Sequence, residues 1–343
     1  MKKLNIAVVG YGGMGRYHAT GLIKQEENLF NKPLVYDIDP EKIKQAKEEG
    51  FTTYESFEAV LGDETMDVVL IATPNDSHKP LAIALLKAGK HVICEKPAMM
   101  SVAELDEVLA VSKETNKVFM VHQNRRWDPD FLVVKNLYEN KQLGDIFQIE
   151  SRVHGANGIP GDWRHVKEQG GGMVLDWGVH LFDQLLYMID SPITKVDSTL
   201  SFVLGNQVDD GFTARIHFEN NLEILVEVGT TNYIKLPRWY VKGTSGTAVI
   251  SDWDLSGEMI IRRDGNLPQH KNLAPIQAGV GLTKTMAPPS EEDTKVMELP
   301  APLTHPYSYY ENLYGVIMNN ETPFVKNEQV RNVMVLMERV MQI

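Results

Sequence analysis

The chain has 343 residues, 43% hydrophobic and 23% charged, which is the composition of an ordinary globular protein of two domains. Its net charge of −12, from 46 acidic and 34 basic residues, argues against a nucleic-acid-binding surface. No apolar run approaches the roughly 20 residues that a membrane-spanning helix needs, so we expect no membrane contact.

The first predicted element is the apolar run LNIAVVG. Two lysines precede it, as in a signal peptide, but the run is too short for one and leads directly into a glycine motif. We therefore interpret it as a strand and expect a cytoplasmic protein.

Four further apolar runs follow, and helical patterns separate them. The predicted strands lie in KPLVYD, MDVVLIATP, KHVICEKP and KVFMVHQN, and the predicted helices near residues 14–24, 40–50, 77–89 and 101–116. Apolar strands that alternate with helices indicate a parallel sheet covered on both faces. Residues 1–124 are thus predicted to form a doubly wound Rossmann domain, whose ligands bind at the carboxyl ends of the strands.

The glycine motif GYGGMG places Gly10, Gly12 and Gly15 in the spacing G-x-G-x-x-G between a strand and a helix. In this context the pattern is typical of dinucleotide binding, because the backbone approaches the diphosphate closely at such a turn. We expect Gly10, Gly12, Gly13, Met14 and Gly15 to contact the diphosphate.

Asp37 ends the second strand, 22 residues beyond Gly15. A carboxylate at this position accepts hydrogen bonds from the ribose hydroxyls and repels a 2′-phosphate. Asp37 therefore favours NAD over NADP; the alternative is that it is a turn residue only.

Lys96 follows the fourth strand, in CEKP. A lysine at a strand end is usually solvated, but this one lies at the edge of the sheet where ligands bind. Cys94 is the single cysteine, so the chain has no internal disulfide, and we predict no metal site.

The second half, residues 125–343, has a different pattern. A helix within 129–144 and a strand within 145–155 precede a helix that begins at Gly172; residues 195–263 then resemble an antiparallel sheet. A Pro- and Gly-rich segment, 265–293, is predicted to be an irregular loop or interface arm, and two helices near 307–319 and 327–341 close the chain.

The helix from Gly172 carries Asp176 and His180 at i and i+4, on one face, with Asp183 a further three residues along. Leu175, Leu181, Leu185 and Met188 form an apolar stripe on the other side. A carboxylate beside an imidazole can fix its tautomer and raise its basicity, whereas a solvated polar face is the simpler alternative.

Together these motifs resemble the glucose-fructose oxidoreductase / inositol dehydrogenase / MocA family. The motifs are GYGGMG, ATPNDSH at 72–78, CEKP at 94–97, NRRWDPDF at 124–131, WRHVKEQGGGMVLDWGVHLFD at 163–183, and the later YYENL and NNETP. The resemblance covers nearly the whole chain. It implies an N-terminal Rossmann domain and a C-terminal α/β domain with a large, open, mostly antiparallel sheet.

The resemblance also implies residue roles. It makes Lys96, Asp176 and His180 catalytic, with His180 oriented by Asp176, and leaves open whether Lys96 or His180 is the primary base. It places Thr73, Pro74, Asn75, His78, Glu95, Trp163 and Arg164, with Lys96, on the cofactor side.

The resulting hypothesis is NAD-dependent oxidation or reduction at a carbinol carbon of a sugar, sugar derivative or cyclitol. We expect a homodimer or homotetramer through the C-terminal sheet. Two alternatives stay open: an NAD-dependent glycosidase that oxidises its substrate transiently, and a sensor that binds NAD without catalysis.

Overall fold

The computed structural model describes residues 2–265 and 274–342 of the chain. The first domain is built on a five-stranded parallel sheet in the order β2-β1-β3-β4-β5. Its strands are β1 (Ile6–Val9), β2 (Leu34–Tyr36), β3 (Val68–Ile71), β4 (His91–Cys94) and β5 (Phe119–Val121). All five predicted strands of the Rossmann domain are confirmed.

Helices connect these strands. They are α1 (Gly13–Tyr17), α2 (Ile23–Gln25), α3 (Pro40–Glu48), α4 (Phe57–Gly62), α5 (His78–Lys87) and α6 (Val102–Thr115). A wider turn at His18–Leu22 joins α1 to α2. The sequence pattern missed α4, which has six residues and is capped by the Ser56 side chain.

The second domain contains an eight-stranded sheet in the order β15-β12-β11-β10-β6-β9-β8-β7. Its strands are β6 (Ile146–His154), β7 (Ile193–Ser201), β8 (Gly211–Phe218), β9 (Glu223–Gly229), β10 (Trp239–Gly243), β11 (Gly246–Ile250), β12 (Gly257–Arg262) and β15 (Thr294–Met297). Only β6 and β9 pair in parallel, so the sheet is mostly antiparallel, as predicted.

The described residues of the second half form four α-helices: α7 (Pro129–Glu139), α8 (Val179–Met188), α9 (Tyr309–Asn319) and α10 (Asn327–Met341). One face of the large sheet packs against α8 and α10. Tyr310 and Leu313 of α9 belong instead to the core of the first domain. Leu175, Leu181, Leu185 and Met188 are buried, so the predicted apolar stripe is confirmed.

The segment predicted to be irregular, 265–293, is partly regular. Residues 266–273 lie outside the described residues, but a hairpin follows, of β13 (Ile276–Ala278) and β14 (Gly281–Thr283). No helix in the described part of the chain is long and apolar enough to cross a membrane.

Candidate active site

The glycine loop lies between β1 and α1. A β-carbon at Gly15 would lie 1.8 Å from the carbonyl oxygen of Gly10, so only glycine permits the close approach of helix and turn. A β-carbon at Gly12 or Gly13 would meet no protein atom within 4 Å. No side chain caps the N-terminus of α1, the helix that contains Met14. The open backbone therefore fits a diphosphate.

Asp37 follows β2 and supports this loop. Its carboxylate accepts hydrogen bonds from the backbone N–H of Tyr11, at 2.6 Å, and of Asp39, at 2.8 Å. The side chain is half-buried, and a carboxylate beside a dinucleotide loop fits ribose hydroxyls.

Lys96, at the end of β4, reaches across to the second domain. Its Nζ donates to the carbonyl oxygen of Asp176 at 2.9 Å and to Asp176 Oδ1 at 3.1 Å. Arg164 Nε lies 3.4 Å from the other carboxylate oxygen, Oδ2. One carboxylate thus joins two cations that are 80 and 12 residues away in sequence.

The charges of Lys96 and Arg164 determine the protonation state of the Asp176 carboxyl. Burial raises the pKa of this carboxyl, but Lys96 and Arg164 outweigh burial, and the net pKa is lowered. Asp176 is therefore ionised at neutral pH, with the side chains of Lys96 and Arg164 beside its carboxylate.

His180 lies one helical turn beyond Asp176 and is buried. Burial, followed by the charges of Lys96 and Arg125, holds the pKa of His180 well below its usual value. Its Nδ1 has no hydrogen-bond partner among the described residues. The neutral imidazole is the form that accepts a proton, although the unpartnered Nδ1 is itself buried.

The implied orientation of His180 by Asp176 is not seen. The described hydrogen bonds of the Asp176 carboxylate go to Lys96, and its second ion pair is with Arg164. Asp176 lies in a wider helical turn, Val174–Gly178, before α8 begins. Asp183 takes no part in the site, because it is buried and binds Arg126 through both oxygens, at 2.8 and 2.7 Å.

The helix that carries Asp176 and His180 is capped by Asp209. Asp209 Oδ2 accepts the N–H groups of Met173 and Val174, each at 2.9 Å. Gly172 has φ +108°, and a β-carbon there would lie 2.3 Å from Asp209 Oδ1. The glycine preceding the helix is thus required by the cap.

Several side chains expected on the cofactor side bind protein atoms instead. Asn75 is buried, and its Nδ2 donates to the carbonyl of Gly170 at 2.9 Å, which links the two domains. His78 is buried between the carbonyls of Thr73 and Pro97, each 3.0 Å away. These hydrogen bonds of the buried imidazole and amide groups support the loops that carry them.

Four of the residues expected on the cofactor side are partly exposed: Thr73, Pro74, Trp163 and Arg164. Thr73 Oγ1 lies 2.6 Å from Ser77 Oγ, and Pro74 is half-buried beside it. Trp163 is half-buried, and the Arg164 guanidinium lies 4.6 Å from its ring centroid. These groups are still able to reach a ligand.

The comparisons with known proteins agree with this geometry. Residues 4–123 match the model of an oxidoreductase family with an NAD-binding Rossmann fold, and residues 131–249 match the GFO/IDH/MocA C-terminal domain. The chain belongs to the Gfo/Idh/MocA oxidoreductase family. The resemblance proposed from the sequence is thus confirmed.

Three relatives illustrate the range of this family. The crystal structure of an NAD-binding protein from Listeria innocua is 54% identical, with a TM-score of 0.93 over 100% of this chain and 97% of that one. A scyllo-inositol 2-dehydrogenase (NADP⁺) of Bacillus subtilis is 23% identical over 99% of this chain and 93% of its own. A myo-inositol 2-dehydrogenase of Thermotoga maritima is 28% identical over 60% of each chain.

The sequence patterns of this Gfo/Idh/MocA chain did not reveal every residue at the site. The Arg125 guanidinium lies 4.4 Å from the ring centroid of Trp177 and 5.2 Å from that of Trp253, and its Nε is buried with no hydrogen-bond partner among the residues that the structure describes. Trp253 and Asp209 lie in the strand-rich region, and the side chain of Trp253 gave no local signal. The adjacent acidic pair in VDDG was the available sign of Asp209.

One group among the described residues could supply metal ligands, although we predicted no metal: His18, Glu95 and His122. Both imidazoles lie at hydrogen-bond distance from one oxygen, Glu95 Oε1, at 2.8 Å each. Shared N–H donation to a carboxylate accounts for these distances.

Proposed function

We propose that this oxidoreductase transfers a hydride between nicotinamide and a carbinol carbon of a sugar, sugar derivative or cyclitol. One observation carries the proposal: Lys96, at the ligand-binding edge of the parallel sheet, is paired with Asp176 on the helix that also carries His180. Lys96 and the neutral His180 imidazole thereby lie close enough for the charge of Lys96 to lower the pKa of His180.

The reaction needs a group for each charge that develops. A hydride leaves the carbinol carbon for the cofactor, the O–H proton leaves for a base, and a carbonyl double bond forms. Nicotinamide supplies the electron-pair acceptor when it is bound. His180, which is neutral, takes the proton, and Lys96 donates a hydrogen bond to the oxygen as its negative charge grows.

A ring substrate is supported by the aromatic groups near His180. The centroid of the Trp177 ring lies 5.9 Å from that of the His180 ring. Trp253 lies beside Trp177 and is 40% exposed. Indole faces pack well against the apolar faces of carbohydrate rings, and Arg125 adds donors for hydroxyl oxygens. The inositol dehydrogenases among the relatives act on substrates of this class.

NAD is the proposed cofactor. The Asp37 carboxylate would accept hydrogen bonds from the ribose and would repel the additional phosphate of NADP. The Bacillus subtilis relative is named for NADP⁺, so a preference for NAD must come from this chain's own residues.

The experiment is a panel of sugars and cyclitols incubated with NAD⁺ or NADP⁺ and monitored by the absorbance of the reduced cofactor. We expect net NADH formation with at least one ring polyol. Cleavage of a glycoside without net NADH would favour a glycosidase, and cofactor binding with no turnover of any substrate would favour a sensor.

We also propose that the second, outer face of the large sheet joins two or four copies of the chain. This face, which includes the cross-strand pairs Tyr240–Val249 and Ile260–Val296, is not covered by a helix in the described part of the chain. Light scattering should give a multiple of the chain mass of 38.6 kDa; the single mass at micromolar concentration would contradict the proposal.

A further inference from the structure

Glu95 is a buried carboxylate that immediately precedes Lys96. Only 5% of its surface is exposed, and its two oxygens have three donors. Oε1 lies 2.8 Å from both His18 Nε2 and His122 Nδ1, and Oε2 accepts the backbone N–H of Lys96 at 3.2 Å. The family resemblance implied a cofactor-side role for Glu95, and in the structure its side chain makes hydrogen bonds within the protein.

The three donors come from different parts of the first domain. His18 lies in the wide turn that follows the glycine-loop helix, and His122 directly follows β5. The chain of hydrogen bonds continues from His18 Nδ1 to the hydroxyl of Tyr310 on α9, at 2.6 Å. One carboxylate thus joins the turn after the glycine-loop helix, the Lys96 strand end and the end of β5, and through His18 it is linked to a C-terminal helix.

The charge of Glu95 is retained despite its burial. Burial raises the pKa of this carboxyl, but the interactions with His122 and His18 outweigh burial and hold the pKa well below its usual value. A buried ion of this kind is no better for stability than an apolar side chain of equal volume. Its presence beside Lys96 therefore indicates a role in the site.

We propose that Glu95 is a positioning residue for hydride transfer: its hydrogen bonds hold the strand end that carries Lys96 in register with the glycine-loop helix. The inference rests on the proposed function, because Lys96 matters only if the bound cofactor and substrate react. Since this carboxylate accepts hydrogen bonds both from His18, in the turn that follows the glycine-loop helix, and from the backbone N–H of Lys96, its loss displaces that helix relative to Lys96.

Glu95 also acts on His180 through its charge. The groups that titrate near Glu95 are His18, His122, His78, Cys94, Tyr309, Tyr310 and His180. Burial, Lys96 and Arg125 lower the pKa of His180, His122 lowers it further, and Glu95 opposes them. Removal of the Glu95 charge should therefore move the acid limb of the pH profile to lower pH.

The test compares Glu95→Gln with the wild type and with a matched control, Glu338→Gln. Glu338 also accepts a backbone N–H, that of Val102 at 2.7 Å, but lies on α10. We expect Glu95→Gln to slow hydride transfer at least ~10-fold, with NADH affinity, from fluorescence, changed less than about 3-fold. The acid limb should move down in Glu95→Gln, and the control should behave like the wild type.

A second pair of variants separates position from folding. His122→Asn keeps an N–H donor close to the place of Nδ1, whereas His122→Ala removes it, so hydride transfer should be faster in the Asn variant. Nitrogen-15 spectra of the wild-type imidazoles should show protons on His18 Nε2 and His122 Nδ1.

Three results would overturn the inference. They are unchanged hydride transfer and pH profile in Glu95→Gln, imidazole spectra without these two protons, and a stoichiometric metal in the purified protein. A wild-type enzyme that reduces no cofactor with any substrate would instead overturn the proposed function, and the imidazole spectra would still report on the network.

Discussion

The two sheets of the molecule contribute differently to one site. Strands β1 and β3 of the parallel sheet are buried at every residue, and the sheet offers its carboxyl edge to ligands. In β8 of the large sheet, Phe212, Ala214 and Ile216 are buried, while Thr213 and Arg215 are exposed. The first sheet supplies Lys96 from a strand end; the second supports, on its buried face, the helix that carries His180.

This difference between the sheets shows which elements position each of the proposed catalytic side chains. Lys96 is positioned by its own strand and by Glu95, whereas Asp176 and His180 depend on the cap by Asp209 and on the packing of α8. Changes in the first sheet should therefore alter cofactor and Lys96 together, and changes in the second should alter the acid–base groups without loss of cofactor binding.

The largest expected effect is on His180. His180→Ala should reduce hydride transfer by at least ~10²-fold, because a general base is lost, while NADH binding changes little. Because Lys96, Asp176 and His180 act together, Asp176→Asn combined with His180→Ala should cost less than the sum of the single losses in free energy. Stopped-flow absorbance measures each rate; equal and large losses of NADH affinity would contradict the division between the two regions.

The next effect concerns the cap of the catalytic helix. Burial raises the pKa of Asp209 to about 6, so the folded protein binds this proton more tightly than the unfolded chain does. Stability from the protonated form is therefore present at low pH and is lost as the pH rises through about 6. Asp209→Asn keeps an acceptor oxygen but does not titrate.

At each pH, the unfolding free energy of the wild type is subtracted from that of Asp209→Asn. This difference should rise by up to about 2–3 kcal/mol from pH 4 to pH 7.5, because only the wild type loses stability as Asp209 ionises. Urea unfolding at both pH values measures the difference. A difference that does not change with pH would show that Asp209 does not titrate in this range.

The smallest expected effect is on the choice between NAD and NADP, which depends on Asp37 at the end of a strand of the first sheet. Asp37→Ser should narrow the preference for NAD over NADP by about 10-fold, because repulsion of the 2′-phosphate is relieved. Asp39→Ser is the matched control, since Asp39 caps α3 and serine is also a good cap. Paired titrations measure both affinities; a wild type that prefers NADP would refute this interpretation of Asp37.

The sequence was most informative about the first sheet. Its apolar runs and the spacing of Gly10, Gly12 and Gly15 predicted five strands and the dinucleotide loop, because these signals are local. In the second domain, the strand-rich region and the α8 stripe were also predicted. The β13–β14 hairpin was missed, because its strands have three residues each within a Pro- and Gly-rich segment.

The sequence patterns could not predict which side chains that are distant in sequence contact each other. Asp176 and His180 share a helical spacing, which suggested a direct contact, but the stronger partner of Asp176 is Lys96, 80 residues away. Likewise, Glu95 and His78 looked like ligand contacts and are buried in protein hydrogen bonds. Such pairings arise from tertiary packing, which no local spacing encodes.

The most direct test of the account is single-turnover hydride transfer by Lys96→Ala, with the substrate that the panel identifies. Lys113→Ala, an exposed lysine on α6, is the control. The account predicts that Lys96→Ala loses at least ~10²-fold in rate and retains NADH affinity, while the control is unchanged. Hydride transfer in Lys96→Ala at the wild-type rate would contradict it, and Lys96 would then be a strand-end residue without a catalytic role.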